Sequence, residues 1–567
     1  MGILERWKRW LYTLCFAALS VLDFVRNTQN GDVWGVAVNL TGLVMLVVIA
    51  SAWPLKRLLT VGNGVWTLAC IALAVYARVS ILPTGMDVFH GMYVWTFVSA
   101  VANAWWIGIF LKDLVKKIWV EKSLAFRPGR LGGVWILLTV LMVCSLSQRI
   151  WPLWFLAMFG IFYLTPYTEE ESRALADGLI DGTILGFFGL QIFAYGFRPY
   201  DVIRYVGAYT NCNMAALHYL TVYAAVLLKL HMLQKRSASG WRKLLYLVGA
   251  CGMLGFLFMT MGRTSWGIAV LLTVVYGFLV MRRSWGLRWR QILVRGAALT
   301  LGTVLLFPAV FGTVRWLPTI LHHPIWFLDE YSPNKVHSFD PADSWKYTEM
   351  DEFLEAALGR IWGTFRTGSV QNPLVLTAEA AQPQIELVPA ERSGERQAPE
   401  PSMEPKENKT EEHEPEDNKS EENESEENES EEIELVGNMD TALGARLSIY
   451  RAYFRDLNLL GHGPAEGMYQ FKDWDYHAWH AQNLWLEVAY RYGIPAGILF
   501  AAVTVWLLVS HTRRLKLCPD SARAAIPLLM CLVFFGYGTM ECVWNTGQYI
   551  LVLFFLVQHP LFYRERK

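Results

Sequence analysis

The chain has 567 residues, 54% hydrophobic and only 18% charged, with 50 Lys/Arg balancing 50 Asp/Glu. A soluble chain carries roughly a quarter charged residues, so composition excludes a soluble enzyme, a DNA-binding protein and a disulfide-held secreted scaffold. The neutral total hides an asymmetry: residues 404–434 hold sixteen Asp/Glu against three Lys, a net −13, which leaves +13 on the rest.

In chain order, the first ten residues carry Arg6, Lys8 and Arg9. They lack a small-residue cleavage site, so the apolar run that follows is expected to stay as a helix. A spanning helix needs about 20 apolar residues. Runs of that kind cover 11–25, 34–54, 63–82, 91–111, 132–148, 150–166, 174–195, 209–232, 243–260, 264–281 and 292–313. Three more, at 484–508, 524–544 and 548–562, close the chain. The first, fifth and sixth are short. The expectation is an all-α polytopic membrane protein with about 12–14 transmembrane helices. It divides into N-terminal helices (1–313), a long loop (314–483) and C-terminal helices (484–567).

Within the loop, residues 369–436 are rich in Glu, Pro, Asn and Ser and contain four Asn-x-Ser/Thr sequons, at Asn408, Asn418, Asn423 and Asn428. Dense like charge with few apolar residues cannot offset ordering entropy, which predicts disorder. Its flanks differ. Residues 345–366 and 443–457 have apolar side chains at helical spacing, which predicts amphipathic helices lying on the membrane surface.

Lys/Arg bias in short connectors sets orientation. With the N-terminus inside, the cytoplasmic connectors and both tails hold 28 Lys/Arg, and the short exterior ones contribute only Arg26, Arg149, Arg198, Arg204 and Arg263. Both termini are thus expected in the cytoplasm and the long loop outside the cell membrane. None of the eight cysteines falls in the long loop, and no disulfide framework or metal-type spacing is present.

Charges inside apolar spans are costly and suggestive. Asp23, Arg78, Asp177, Asp181, Glu487, Arg491 and Glu541 qualify. Asp177/Asp181 and Glu487/Arg491 are i,i+4 pairs, each sharing a helix face. An ion pair is the simpler reading of the second. Such charges also suit a transporter or flippase of lipid-linked oligosaccharides, which is the alternative function. Asp473-Trp-Asp475 has the form of a metal-binding motif of nucleotide-sugar transferases, but it falls on the exterior side, where those donors are absent.

The exterior cations are more telling. Arg204 and Arg263 stand at helix mouths, Arg446 on the loop flank, and His480 before the run at 484. Converging guanidinium groups suit a phosphate ester, because each offers a planar fork that stays charged. A histidine adds a base near neutral pH.

Four stretches resemble the O-antigen ligase/polymerase superfamily of membrane glycosyltransferases. They are Arg204-Tyr-Val-Gly207-Ala-Tyr-Thr-Asn211-Cys-Asn213, Met261-Gly-Arg263-Thr-Ser265, Arg446-Leu-Ser-Ile-Tyr450 followed by Gly461-His-Gly463, and His480-Ala-Gln-Asn483-Leu-Trp-Leu followed by Gly493-Ile-Pro-Ala-Gly497. The resemblance covers about residues 195–510 and leaves out the acidic insert. It implies a metal-independent, cofactor-free transferase. The donor would be an undecaprenyl-diphosphate-linked glycan, and the acceptor a glycolipid, polysaccharide or protein at the outer face of the lipid bilayer. It implies no nucleic-acid partner. It further implies that Arg263 and Arg446 grip the diphosphate with Arg204 as a third, that Asn211, Asn213 and Asn483 help bind substrate, and that His480 assists the acceptor hydroxyl. Gln482 stands where the family has its second histidine.

Overall fold

Continuous apolar runs with few glycines or prolines favour helices, since in a membrane every backbone polar group must be satisfied within the segment. The computed structural model describes residues 3–26, 31–53, 59–76, 79, 88–120, 136, 139–147, 158–165, 167–197, 200–201, 204–209, 211–320, 325–328, 336–339, 350–365, 432–433, 442–463, 469–471, 477–478, 480–518, 521, 523–544 and 548–562. The chain opens with α1 (Ile3–Arg26), α2 (Gly31–Ala50), α3 (Val61–Tyr76) and α4 (Val88–Val115). The runs at 132–148 and 150–166 fall partly outside the described residues, with helical turns at 139–143 and 158–164. Next come α5 (Glu169–Phe197), α6 (Cys212–Lys235), α7 (Gly240–Met259), α8 (Arg263–Val275, continuing through Trp285) and α9 (Trp289–Ile320). The loop supplies α10 (Met350–Phe365) and α11 (Ala442–Arg455), and the chain closes with α12 (Leu484–Tyr492), α13 (Ile494–Leu517), α14 (Ala525–Gly538) and α15 (Tyr549–Val557). Among the described residues, six helices are long and apolar enough to cross a membrane: α5, α6, α7, α8, α9 and α13.

One expected helix divides. The run at 484–508 breaks at Gly493, whose φ of +91° ends α12 and begins α13. A Cβ there would sit 2.2 Å from the Leu459 carbonyl oxygen, so only glycine fits. Pro495 in the first turn of α13 needs no helical N–H partner, and apolar residues continue on both sides of the break.

Close packing starts at α1 against α5. Gly178, Gly182 and Gly186 form a stripe into which α1 fits, and a Cβ on Gly182 would lie 2.5 Å from the Thr13 carbonyl oxygen. Small residues let helix backbones approach in this way. Around the same contact, Asp177 accepts both Arg236 amines at 2.9 Å and lies 3.8 Å from Arg9. Asp181 pairs with Arg9 and Lys229. These carboxylates therefore tie α1, α5 and α6 together. Helices α14 and α15 are buried along nearly their whole length, and α14 packs on α6, α8, α13 and α15.

Small sheets occupy the connections. β1 (Tyr200–Asp201) pairs with β2 (Arg204–Tyr205), and β3 (Ile325–Leu328) with β4 (Val336–Phe339), both antiparallel. β5 (Glu432–Ile433) runs parallel to β6 (Tyr469–Phe471), which is antiparallel to β7 (His477–Ala478). The insert expected to be disordered over 369–436 thus ends in a strand. The rest of it, with its sequons, lies outside the described residues, as do Arg78 and the Asp473–Asp475 motif.

Candidate functional site

The hairpin β1–β2 opposes Asp201 to Arg204. From there Arg204 donates through Nε to the Thr260 carbonyl at 3.0 Å and through Nη2 to Asn213 Oδ1 at 3.2 Å. Asn213 lies in the first turn of α6, where the cap residue Asn211 accepts its backbone N–H at 2.7 Å. Asn213 Nδ2 in turn donates to Glu541 Oε1 at 2.7 Å. Glu541 follows the end of α14 and lies outside the helical spans. Arg446, on α11, completes the chain of contacts, with Nη2 3.6 Å from Glu541 Oε1 and Nε donating to Gln482 Oε1 at 3.3 Å.

Arg263 is the first residue of α8 and lies within the electrostatic fields of Arg446 and Arg204. A fourth cation joins from α10. Burial pushes Arg360 down to about 10, and Arg204 and Arg263 push in the same direction. Four guanidinium groups from four separate segments therefore share one end of the bundle.

Among the described residues, the Glu541 carboxyl group stands against these cations. Burial pushes Glu541 up to about 7, opposed by Arg446, the Asn213 hydrogen bond and Arg204. Tyr450, one turn on from Arg446, donates to the carbonyls of Gln482 at 3.2 Å and Thr539 at 3.3 Å. That contact fixes α11 over the bend that carries Glu541.

Residues 480–483 are irregular, with Gln482 in the left-handed region at φ +48°. Gln482 meets Arg446, whereas His480 Nδ1 accepts the Gln482 N–H at 3.2 Å. Burial lowers His480, Glu487 raises it, and Arg491 lowers it further. The imidazole therefore borders the Glu487–Arg491 ion pair. Asn483 caps α12 by accepting from Trp485 and Leu486, each at 3.1 Å, and donates to the Thr539 carbonyl at 3.2 Å. Asn211 and Asn483 thus hold helix starts, and Asn213 bridges Arg204 to Glu541.

The sequence brings forward Arg204, Arg263, Arg446 and Asn213, and the structure gathers all four. It adds Arg360, whose setting in an amphipathic segment resembles an ordinary solvated cation. Glu541 stands out in sequence as a carboxylate in an apolar run, but nothing there points to Asn213, which is 328 residues away. No protein-family profile, curated protein or solved structure matches this chain.

Proposed function

We propose that the chain is a membrane glycosyltransferase of the O-antigen ligase/polymerase type, moving a glycan from a polyprenyl diphosphate to an acceptor hydroxyl. The carrying observation is the gathering of Arg204, Arg263, Arg360 and Arg446 around Glu541 and Asn213. A lipid diphosphate is already an activated leaving group, so the protein's task is to neutralise the charge that develops as the bond breaks. In the reaction the acceptor oxygen attacks the anomeric carbon, and the bond from that carbon to the diphosphate oxygen breaks. The diphosphate keeps the electron pair and is held by guanidinium forks.

The acceptor proton goes to Glu541. Geometry favours it over His480, because Glu541 touches Arg446 and Asn213 directly whereas His480 borders the Glu487–Arg491 pair. In this reading the chain has 12–14 spans with both termini cytoplasmic, and the arginine site and acidic insert lie outside the cell membrane. The transporter alternative draws on Asp177, Asp181 and Glu487, but each is engaged in ion pairs that join helices or stabilise one helix turn.

The test is replacement of Arg263 and Arg446 by alanine in cells, with transfer read from surface glycan and protein level by immunoblot. Each substitution should reduce transfer by about 10²–10³ at normal protein level. Lysine should rescue poorly, since it lacks the planar fork. Intact transfer in both alanine variants, with loss in Asp177→Asn instead, would overturn the assignment.

A further inference from the structure

The turn that leads into α12 carries a residue in a disfavoured conformation. Gln482 has a φ of +48°, a region that a Cβ disfavours and that persists only where neighbouring groups over-determine it. Here three side chains hold three backbone groups in succession. Glu487 Oε2 accepts the Ala481 N–H at 2.7 Å. His480 Nδ1 accepts the Gln482 N–H at 3.2 Å, and Tyr450 Oη donates to the Gln482 carbonyl at 3.2 Å.

The held turn delivers the Gln482 side chain to Arg446, whose Nε donates to Gln482 Oε1 at 3.3 Å. With Nε engaged there, the other edge of the guanidinium lies toward the bend after α14. Nη1 is 3.8 Å from Met540 Sδ, and Nη2 is 3.6 Å from Glu541 Oε1. Gln482 thus selects which edge of Arg446 faces the site.

The same contacts limit what His480 can do. A neutral imidazole has one lone-pair nitrogen and one N–H. The Gln482 N–H takes the Nδ1 lone pair, so the ring proton is on Nε2. Burial disfavours a second proton, opposed by Glu487 and aided by Arg491, both on α12. No lone pair is left to receive the proton of an acceptor hydroxyl. We infer that His480 is a positioning residue and not a base: through Nδ1 it holds the left-handed Gln482 turn, which sets the edge that Arg446 presents to a diphosphate. The inference deepens the transferase reading and rests on it for the ligand.

The test measures binding of inorganic diphosphate to the purified full chain in detergent by calorimetry, alongside glycan transfer. His480→Ala should weaken binding roughly tenfold, the scale of one lost hydrogen bond. His480→Asn should restore it, because asparagine Oδ1 accepts the N–H two residues on from the place that Nδ1 holds. His480→Gln, with its oxygen one atom further out, should not. Gln482→Ala should weaken binding as much as His480→Ala, and the double variant should be no weaker than either, since both act through one contact. If His480→Ala does not fold, His480→Gln takes its place in that comparison. Wild-type binding by folded His480→Ala, or losses that add in the double variant, would overturn the inference. So would loss of transfer in a His480→Asn variant that binds diphosphate normally, because the ring would then act in the chemistry itself. Diphosphate binding without transfer by the wild type would remove the transferase reading alone, and the binding series would still decide the role of the turn. Absence of diphosphate binding by the wild type would overturn both.

Discussion

Replacing Glu541 by glutamine removes a charge with almost no change in volume, and stability and transfer should respond in opposite directions. In the folded protein the carboxyl is pushed from 4.5 up to about 7, first by burial, with Arg446, the Asn213 hydrogen bond and Arg204 pulling the other way. At about 1.4 kcal/mol for each tenfold change in proton affinity, this amounts to roughly 3 kcal/mol. The sign follows from counting protons. Between pH 4.5 and about 7 the folded state holds a proton that the unfolded chain has released, so stability falls as pH rises through that window. Glutamine cannot ionise and keeps an acceptor for Asn213. Glu541→Gln should therefore unfold at a higher temperature than the wild type above pH 7, by up to about 3 kcal/mol of stability. The two should converge toward pH 4.5. Scanning fluorimetry in detergent across that range measures the difference. Transfer by the same variant should drop, because the proton acceptor is gone, a trade-off typical of functional sites. A difference that does not vary with pH, or a variant less stable than wild type at alkaline pH, would refute the reasoning.

Three further outcomes are expected. Gly493→Ala should sharply lower the yield of folded protein, since its Cβ would fall 2.2 Å from the Leu459 carbonyl oxygen; a normal size-exclusion profile at normal yield would contradict this. Deleting residues 400–434 should leave membrane insertion and transfer largely intact, because a −14 segment repels an anionic donor; complete loss of transfer at normal level would assign the insert a role. In a Cys144→Ser background, which removes an exposed thiol, Leu447→Cys should react with an impermeant reagent in intact cells and Ser237→Cys should not. Both positions are exposed, so labelling at 237 would reverse the sidedness.

Much of the helical architecture is legible in the sequence, because membrane spans are written as long uninterrupted apolar runs. The runs at 174–195 and 292–313 fall within α5 and α9, and those at 209–232 and 243–260 overlap α6 and α7 to within three residues at their ends. The amphipathic flanks at 345–366 and 443–457 correspond to α10 and α11. The break at Gly493 is harder to read, since apolar residues continue on both sides of it. Its signal is conformational, a glycine followed two residues later by proline. Site residues divide in the same way. Arg204 and Arg263 stand out because cations are scarce in their connectors, and Arg446 by its place on the helical flank of the long loop. Arg360 is silent, since its environment is set by tertiary burial rather than by its neighbours in sequence. The i,i+4 spacing of Asp177 and Asp181 gives their shared face, but their partners Arg9, Lys229 and Arg236 come from other helices. Long-range pairing of this kind is invisible to periodicity.

In the proposed function, four arginines at one end of this bundle grip a lipid diphosphate while its glycan is transferred. The most direct measurement uses the purified chain in vesicles with a radiolabelled polyprenyl-diphosphate glycan and an acceptor extract, following release of the polyprenyl diphosphate. Release coupled to glycan transfer by the wild type, lost in Arg446→Ala and in Arg360→Ala, is the predicted result. Movement of the intact donor across the bilayer without release, unaffected by either substitution, would contradict it.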